Sequence, residues 1–213
     1  MLEINNISFR YNPDKWIFNQ INFVLKPGEI IGLYGESGTG KSTFAKVIAG
    51  HLKPDKGKVT VNGVPYNQKG RNPVQIIGQH PEKAINPRWK MKQVLAESGG
   101  FDEALLEMFG INQELLQRYP SQLSGGELQR FCLARTMAPE TKFLIADEMT
   151  TMLDTINKAQ IWKTVLQIVK QRQLGMLVVS HELPLLNRIC TSLLSFEDML
   201  KTNQEKKNHG FNI

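Results

Sequence analysis

A glycine-rich segment between a strand pattern and a helix pattern constrains this chain more than any other feature. Residues 35–42 read GESGTGKS and match every fixed position of the pattern G-x-x-x-x-G-K-[ST]. They follow the apolar run Ile30–Tyr34, typical of a buried strand, and precede residues 43–49, typical of a helix. In this setting the backbone N–H groups and the helix N-terminus direct partial positive charge at a polyphosphate. The segment therefore predicts a nucleotide-binding loop rather than an ordinary glycine-rich turn.

Two side chains of this loop have distinct expected roles. Lys41 is placed to reach the β- and γ-phosphates, and the Ser42 hydroxyl is placed to ligate Mg²⁺. The residues of this segment expected to bind the nucleotide are Gly35, Glu36, Ser37, Gly38, Thr39, Gly40, Lys41, Ser42 and Thr43.

Composition predicts a single folded α/β domain over residues 1–213. No apolar run approaches the length of a membrane span, and the N-terminus lacks a signal-peptide pattern, so we expect a cytoplasmic protein. Cys132 and Cys190 are far apart and typical of buried hydrophobes. The formal net charge of +6 comes from scattered basic residues, which favours a solvated surface over a nucleic-acid groove.

The pattern of elements changes along the chain. Residues 2–9 and 17–25 predict antiparallel strands that flank the nucleotide-binding strand, and Tyr11 after the first is a candidate for stacking on a base. From about 81 to 138 helical patterns predominate, which predicts an inserted helical subdomain. Residues 155–172 predict a long helix. Its expected buried stripe is Ala159, Trp162, Val165, Leu166 and Val169.

A second possible anion-binding helix start lies at residues 123–130, which read LSGGELQR. Ser124 is the expected N-cap, and Gly125 and Gly126 leave the backbone open. A chain with one phosphate loop has no evident use for a second anion-binding helix start. The helix start at residues 123–130 is explained if it binds a nucleotide held by another subunit. From spacing alone, an ordinary serine–glycine helix cap explains it equally well.

Charged and polar side chains follow two further apolar runs. Asp147 and Glu148 end the run that begins at Phe143, and a buried parallel strand delivers such residues into the ligand crevice of the sheet. We expect Asp147 to hold Mg²⁺ and Glu148 to orient or deprotonate an attacking water. His181 follows the run 175–180, where a hydrogen bond to a phosphate is the expected role.

Taken together, these segments resemble the ATPase subunits of ABC transporters over nearly the whole chain. The resemblance rests on the phosphate loop, residues 123–127 and Asp147–Glu148, in that order. It implies a P-loop NTPase fold with a RecA-like, mostly parallel core sheet, an N-terminal antiparallel β subdomain and an inserted helical subdomain. It also implies ATP and Mg²⁺ as cofactors, and a head-to-tail dimer that encloses two ATP molecules.

The same resemblance implies a role for each matched residue. Tyr11 matches the aromatic that stacks on adenine, and Gln79 matches the glutamine that senses Mg²⁺ and the γ-phosphate near the membrane subunits. Glu148 and His181 match the catalytic glutamate and the switch histidine. The signature that closes over ATP on the opposite subunit is matched by Ser124, Gly125, Gly126 and Glu127.

A finer resemblance points to importers of peptides and nickel. Residues 79–81 and 85–88 resemble the glutamine-x-proline and Asn-Pro-Arg pattern of those ATPases, and residues 150–154 resemble their D-loop. Met149 stands where proline is usual, and Ser195–Phe–Glu–Asp–Met199 replaces the usual glycine-containing hairpin. The short C-terminus favours nickel or a metal chelate over peptides. Implied partners are a second ATPase subunit, permease subunits and, indirectly, an extracytoplasmic solute-binding protein, at the cytoplasmic face of the membrane.

Two other functions are compatible with a nucleotide-binding chain. A soluble ABC-type ATPase acting on DNA or ribosomes would carry a long coiled coil between Lys41 and Ser124, or a second cassette, and the sequence has neither. A non-hydrolytic partner of an active ATPase would lack part of the catalytic set. That set is complete here, with Lys41, Asp147, Glu148 and His181.

Overall fold

Two β-sheets with helices around them make up the part of the chain that the computed structural model describes, residues 1–65, 71–99 and 102–201. One sheet has three antiparallel strands in the order β2-β1-β4, and the other has five parallel strands in the order β5-β6-β7-β3-β8. The strands are β1 (Leu2–Phe9), β2 (Phe18–Leu25), β3 (Ile30–Tyr34), β4 (Lys56–Val61), β5 (Val74–Ile77), β6 (Phe143–Asp147), β7 (Gly175–Val179) and β8 (Ser192–Ser195).

Seven helices are bounded on both sides by described residues. They are α1 (Lys41–Ile48), α2 (Met91–Ala96), α3 (Glu103–Met108), α4 (Gln113–Leu116), α5 (Gly125–Thr136), α6 (Thr155–Arg172) and α7 (Leu183–Ile189). Short 3-10 turns cover Pro81–Ala84 and Pro120–Gln122. Residues 196–201 are also helical and are called the C-terminal helical segment below.

The central strands β6 and β7 of the parallel sheet are buried on both faces, which explains why they read as continuous apolar runs. In β6, Phe143 and Ile145 join the core beneath α1 and the three-stranded sheet, whereas Leu144 and Ala146 join the core beneath helices α2, α5, α6 and α7. Side chains of a strand point alternately to its two faces, so one apolar run serves both cores.

The three-stranded sheet buries only one face. In β2, Phe18, Ile21, Phe23 and Leu25 are buried while the residues between them are largely exposed. Our prediction that β1 and β2 flank the nucleotide-binding strand is therefore wrong: the neighbours of β3 are β7 and β8. A strand buried on both faces pairs with other strands of that kind, whereas half-exposed strands form a cover over α1.

Residues 81–138 contain helices α2 to α5 and, among the described residues, no strand. Asp102 and Asn112 cap α3 and α4 by accepting hydrogen bonds from Ala104 N–H and Leu115 N–H, as short polar side chains at an N-cap do. Searching the described residues for a helix long and apolar enough to cross a bilayer finds none.

Every strand of the large sheet is parallel to its neighbours, so all five carboxyl ends lie at one edge. The segments that leave this edge contain the phosphate loop after β3, Gln79 after β5, Asp147 and Glu148 at the end of β6, and His181 after β7. Ligands bind at this edge in open α/β sheets.

Candidate nucleotide-binding and catalytic site

The phosphate loop connects β3 to α1 and is organised around a buried lysine. The Lys41 side chain folds back so that its Nζ donates hydrogen bonds to the Gly35 carbonyl at 2.8 Å and the Glu36 carbonyl at 2.6 Å. The residue is only 7% exposed. Thr39 Oγ1 donates to the same Glu36 carbonyl at 2.9 Å. These contacts hold a positive charge inside the loop, where an ammonium can bind phosphate.

The rest of the loop faces solvent. Glu36, Ser37 and Gly38 are exposed, and a Cβ on Gly38 would meet nothing within 4 Å. Gly40, with φ +108°, is the N-cap of α1, and a Cβ there would lie 2.5 Å from Ile17 Cγ2. Only glycine fits that position without displacing Ile17, the residue that precedes β2. The loop is therefore open on one side and closely packed on the other.

Ser42 and Asp147 bring two hard oxygen donors together. The Ser42 hydroxyl donates a hydrogen bond to Asp147 Oδ1 at 3.0 Å. Burial raises the pKa of the Asp147 carboxyl, with Glu148 adding to the rise and Ser42, Lys46 and Lys41 opposing it. Mg²⁺ in nucleotide sites takes one or two protein oxygens together with phosphates and water, so these residues fit that ion. The described residues contain no cluster of three or more His, Cys, Asp and Glu side chains that could bind a metal without the nucleotide.

Glu148 and His181 form a pair at the ends of adjacent strands. The distance from His181 Nδ1 to Glu148 Oε1 is 3.0 Å. The pair arises from the register of β6 and β7, in which Asp147 lies opposite Val179, so that the following residues also meet. The His181 side chain is 62% exposed and the Glu148 side chain 28% exposed, so both are accessible to a substrate.

Tyr11 lies close to the start of α1. Its hydroxyl is 3.4 Å from Thr43 Oγ1, and its ring packs edge-on against Phe9 with centroids 4.9 Å apart. The residue is 60% exposed. An exposed aromatic face next to the phosphate loop is available for stacking on a nucleotide base. Gln79 is half-buried and lies after β5, at the sheet edge that carries the other candidates.

The residues of the second glycine-rich segment form the start of α5. The Ser124 hydroxyl accepts from Glu127 N–H at 3.3 Å, and the Glu127 carboxylate accepts from Ser124 N–H at 2.7 Å, which is a capping box. Hydrogen bonds with Ser124 lower the pKa of Glu127. Ser124 and Gly125 are exposed, and a Cβ on Gly125 would meet nothing within 4 Å. This helix start is thus capped and exposed to solvent.

One residue at this edge was missed by the sequence analysis. Glu197 lies in the C-terminal helical segment after β8, and its Oε1 accepts a hydrogen bond from Glu36 N–H at 2.7 Å. The sequence showed that residues 195–199 depart from the usual pattern, but the neighbouring position of β8 and β3 was needed to place this carboxylate on the phosphate loop.

A parallel sheet with a phosphate loop after β3, an aspartate beside its serine and a glutamate–histidine pair defines a nucleoside-triphosphate hydrolase of the P-loop class. Comparison with known proteins gives the family. The model of the ABC transporter family matches residues 18–151. The nickel import system ATP-binding protein NikE of Staphylococcus aureus (strain N315) is 32% identical to this chain, covering 100% of the chain and 94% of the relative. The chain belongs to the ATP-binding subunits of ABC transporters, which are ATPases.

Solved structures agree on the fold. A structure described as an ATP-binding subunit of an ABC transporter superposes with a TM-score of 0.79 at 24% identity, covering 92% of this chain and 85% of that chain. A dimeric bacterial ABC transporter cassette superposes with a TM-score of 0.76 at 21% sequence identity, covering 92% of this chain and 94% of that chain. CbiO1 of Clostridium perfringens, part of the cbiONQ transporter complex, superposes with a TM-score of 0.75 at 22% sequence identity, covering 91% of this chain and 83% of that chain. These likenesses confirm the P-loop fold predicted from the sequence.

Proposed function

We propose that this chain is the ATP-hydrolysing subunit that energises an importer of nickel or a nickel chelate. The single observation that supports nickel as the cargo is the full-length similarity to the nickel import ATP-binding protein, at 32% identity. Short peptides are the runner-up cargo, because the sequence pattern around Gln79 is shared with peptide importers. The ATPase site does not contact cargo in either case.

The chemistry follows from the side chains at the sheet edge. Lys41 and the backbone N–H groups of the loop bind the phosphates of ATP, and Tyr11 stacks on the base. Ser42 and Asp147, with Gln79, would hold Mg²⁺, which when bound would neutralise charge on the phosphates. Glu148 orients and deprotonates the attacking water, a contribution of about 10²–10⁴-fold in rate.

His181 has two partners in this scheme. Its Nδ1 lies 3.0 Å from Glu148 Oε1, and the opposite ring nitrogen, Nε2, donates to the γ-phosphate when the ring carries both protons. The histidine therefore links the catalytic carboxylate to the group being transferred.

The site is completed by a second ATPase subunit. Ser124, Gly125, Gly126 and Glu127 form a capped, open helix start, which suits binding to ATP held by a partner in a head-to-tail dimer. The helical segment at about 81–138 is inserted into the single ATPase domain, and it carries this surface toward the partner.

Further partners follow from the transport role. Permease subunits in the membrane receive the energy of ATP-driven closure, and an extracytoplasmic solute-binding protein delivers the cargo to them. The chain is peripheral, at the cytoplasmic face of the membrane. Nucleic acid is not among the expected partners, because no basic motif in the sequence supports a binding groove.

Affinity capture tests the transport role. Tagged chain is purified from detergent-solubilised native membranes, and copurifying proteins are identified by mass spectrometry. We expect a permease, a second ATPase and a solute-binding protein, and we expect deletion of the chain to lower cellular uptake of radioactive nickel. Copurification of ribosomes or DNA instead, with unchanged uptake of both nickel and peptides, would contradict the importer role.

A further inference from the structure

One peptide group of the phosphate loop is held at both ends. The Gly35 carbonyl accepts from Lys41 Nζ at 2.8 Å, and the N–H of the same peptide, on Glu36, donates to Glu197 Oε1 at 2.7 Å. The carbonyl and N–H of a trans peptide point in opposite directions. Glu197 and Lys41 therefore fix the orientation of this peptide plane from opposite sides.

The position of Glu197 is determined by the sheet. Strand β8 pairs with β3 in parallel, with Ser195 opposite Tyr34, so the segment after β8 emerges beside the segment after β3. Phe196 is fully buried, and its ring packs against Phe44 of α1 with centroids 5.5 Å apart. This contact attaches the start of the C-terminal helical segment to the helix that follows the phosphate loop.

The carboxylate is fitted closely to the loop. A Cβ on Gly35 would lie 2.5 Å from Glu197 Oε2, so glycine at this position is what allows the approach. The second oxygen of Glu197 also lies 3.3 Å from the Ser195 hydroxyl. Burial opposes the charged form, but the hydrogen bonds from Glu36 N–H, its own N–H and Ser195, with the charge of Lys41, outweigh it and lower the pKa of Glu197.

We propose that Glu197 is a positioning residue of the ATP site, which holds the Gly35–Glu36 peptide so that its carbonyl faces Lys41 and the loop stays open for phosphate. This inference rests on the proposed ATP-binding function. Glu197 touches neither water nor the γ-phosphate in this role. It acts through the peptide on Lys41, and it couples the C-terminal segment to nucleotide affinity.

A positioning role predicts a separation of binding from turnover. In Glu197→Ala the loop loses one charge-assisted hydrogen bond and must be ordered by the nucleotide itself, so we expect KM and Kd for MgATP to rise about fivefold to twentyfold. ADP affinity should fall by a similar factor, because ADP occupies the same loop. The value of kcat should stay within about twofold, because Glu148 and His181 are untouched.

The conservative variant distinguishes the hydrogen bond from a general charge effect. Glu197→Gln keeps an oxygen that accepts from Glu36 N–H and an amide group that can donate to Ser195, so affinity should stay within about threefold of wild type. Asp198→Asn is the matched control, since it removes an exposed carboxylate from the adjacent position. It should leave nucleotide affinity unchanged.

The experiment measures MgATP and MgADP affinity by titration calorimetry, steady-state hydrolysis, and thermal unfolding for all four proteins. Weaker binding in Glu197→Ala alone, with kcat retained, supports the inference. Equal affinity in Glu197→Ala and wild type, with or without a lower melting temperature, would overturn it, as would equal losses in the Ala and Gln variants. A wild-type chain that bound no nucleotide would refute the proposed function and, with it, this inference.

Discussion

Glu148 adopts a left-handed backbone conformation, with φ of +52°. Such a conformation costs a non-glycine residue on the order of 1–3 kcal/mol, and the surrounding contacts must maintain it. The Glu148 N–H donates to the Val179 carbonyl at 3.0 Å, and the Glu148 carbonyl accepts from Thr151 Oγ1 at 3.0 Å. The result is a carboxylate directed at His181 rather than along the strand.

Replacing His181 with Ala tests this pair. The variant removes the imidazole that lies 3.0 Å from Glu148, so we expect hydrolysis to fall by roughly 10–100-fold while MgATP affinity changes less than about threefold. His51→Ala, at an exposed position after α1, serves as the control and should behave as wild type in both assays. Unchanged turnover in His181→Ala would remove the histidine from the catalytic role.

Ser42→Ala tests the assignment of the metal ligands. The hydroxyl donates to Asp147 at 3.0 Å and is the expected Mg²⁺ ligand, so its loss should weaken MgATP binding by about tenfold. Binding of ATP in the presence of EDTA should change far less, because the phosphate contacts of the loop remain. Equal losses with and without Mg²⁺, measured by fluorescence titration, would argue against a role for Ser42 in holding the metal.

At the scale of elements, α6 shows why helix faces are hard to predict. The helix runs from Thr155 to Arg172, as the sequence predicted, but the buried stripe differs. Ala159 is exposed and Leu166 only half-buried, so the predicted stripe is wrong at these positions. The buried residues are Ile161, Trp162, Val165, Ile168 and Val169. Apolar residues at three- and four-residue spacings fit two adjacent stripes, and packing against neighbouring helices selects one of them.

Arg172 joins the end of α6 to the end of α5. Its guanidinium donates to the carbonyls of Met137, Ala138 and Pro139, which follow the last residue of α5, the last two at 2.8 and 3.2 Å. Arg172→Ala should lower the free energy of unfolding by about 1–3 kcal/mol. Urea unfolding provides the measurement, with the exposed Lys170→Ala as control. Equal stability of the two variants would show that this contact contributes nothing.

At the scale of the molecule, the sequence predicted the family, the fold class and the residues at the sheet edge, because each motif lies in a strand-to-loop context that only one kind of fold provides. Strand periodicity alone misplaced β1 and β2 beside the nucleotide-binding strand, since it carries no information on which strands pair, whereas the resemblance to ABC transporter ATPases correctly predicted a separate antiparallel sheet. Glu197 was missed for the same reason. Its function depends on β8 lying next to β3, a contact between residues far apart in the chain.

Gly125→Ala tests whether the start of α5 acts on a partner. A Cβ at this position meets nothing within 4 Å in the single chain, so folding and MgATP binding should be unchanged. In the dimer the added methyl group would face the partner's nucleotide, and hydrolysis by the assembled complex should fall at least tenfold. Full hydrolysis by a complex that carries this substitution would contradict the shared site.

We infer that this chain hydrolyses ATP with Glu148 at a site completed by a second subunit. The most direct measurement compares wild type and Glu148→Gln for MgATP binding, turnover and, by light scattering, assembly with the copurified ATPase. We expect Glu148→Gln to bind MgATP within about threefold of wild type, to lose turnover at least a hundredfold and to remain in an ATP-stabilised dimer. Near-normal hydrolysis by Glu148→Gln would contradict the catalytic role of this carboxylate.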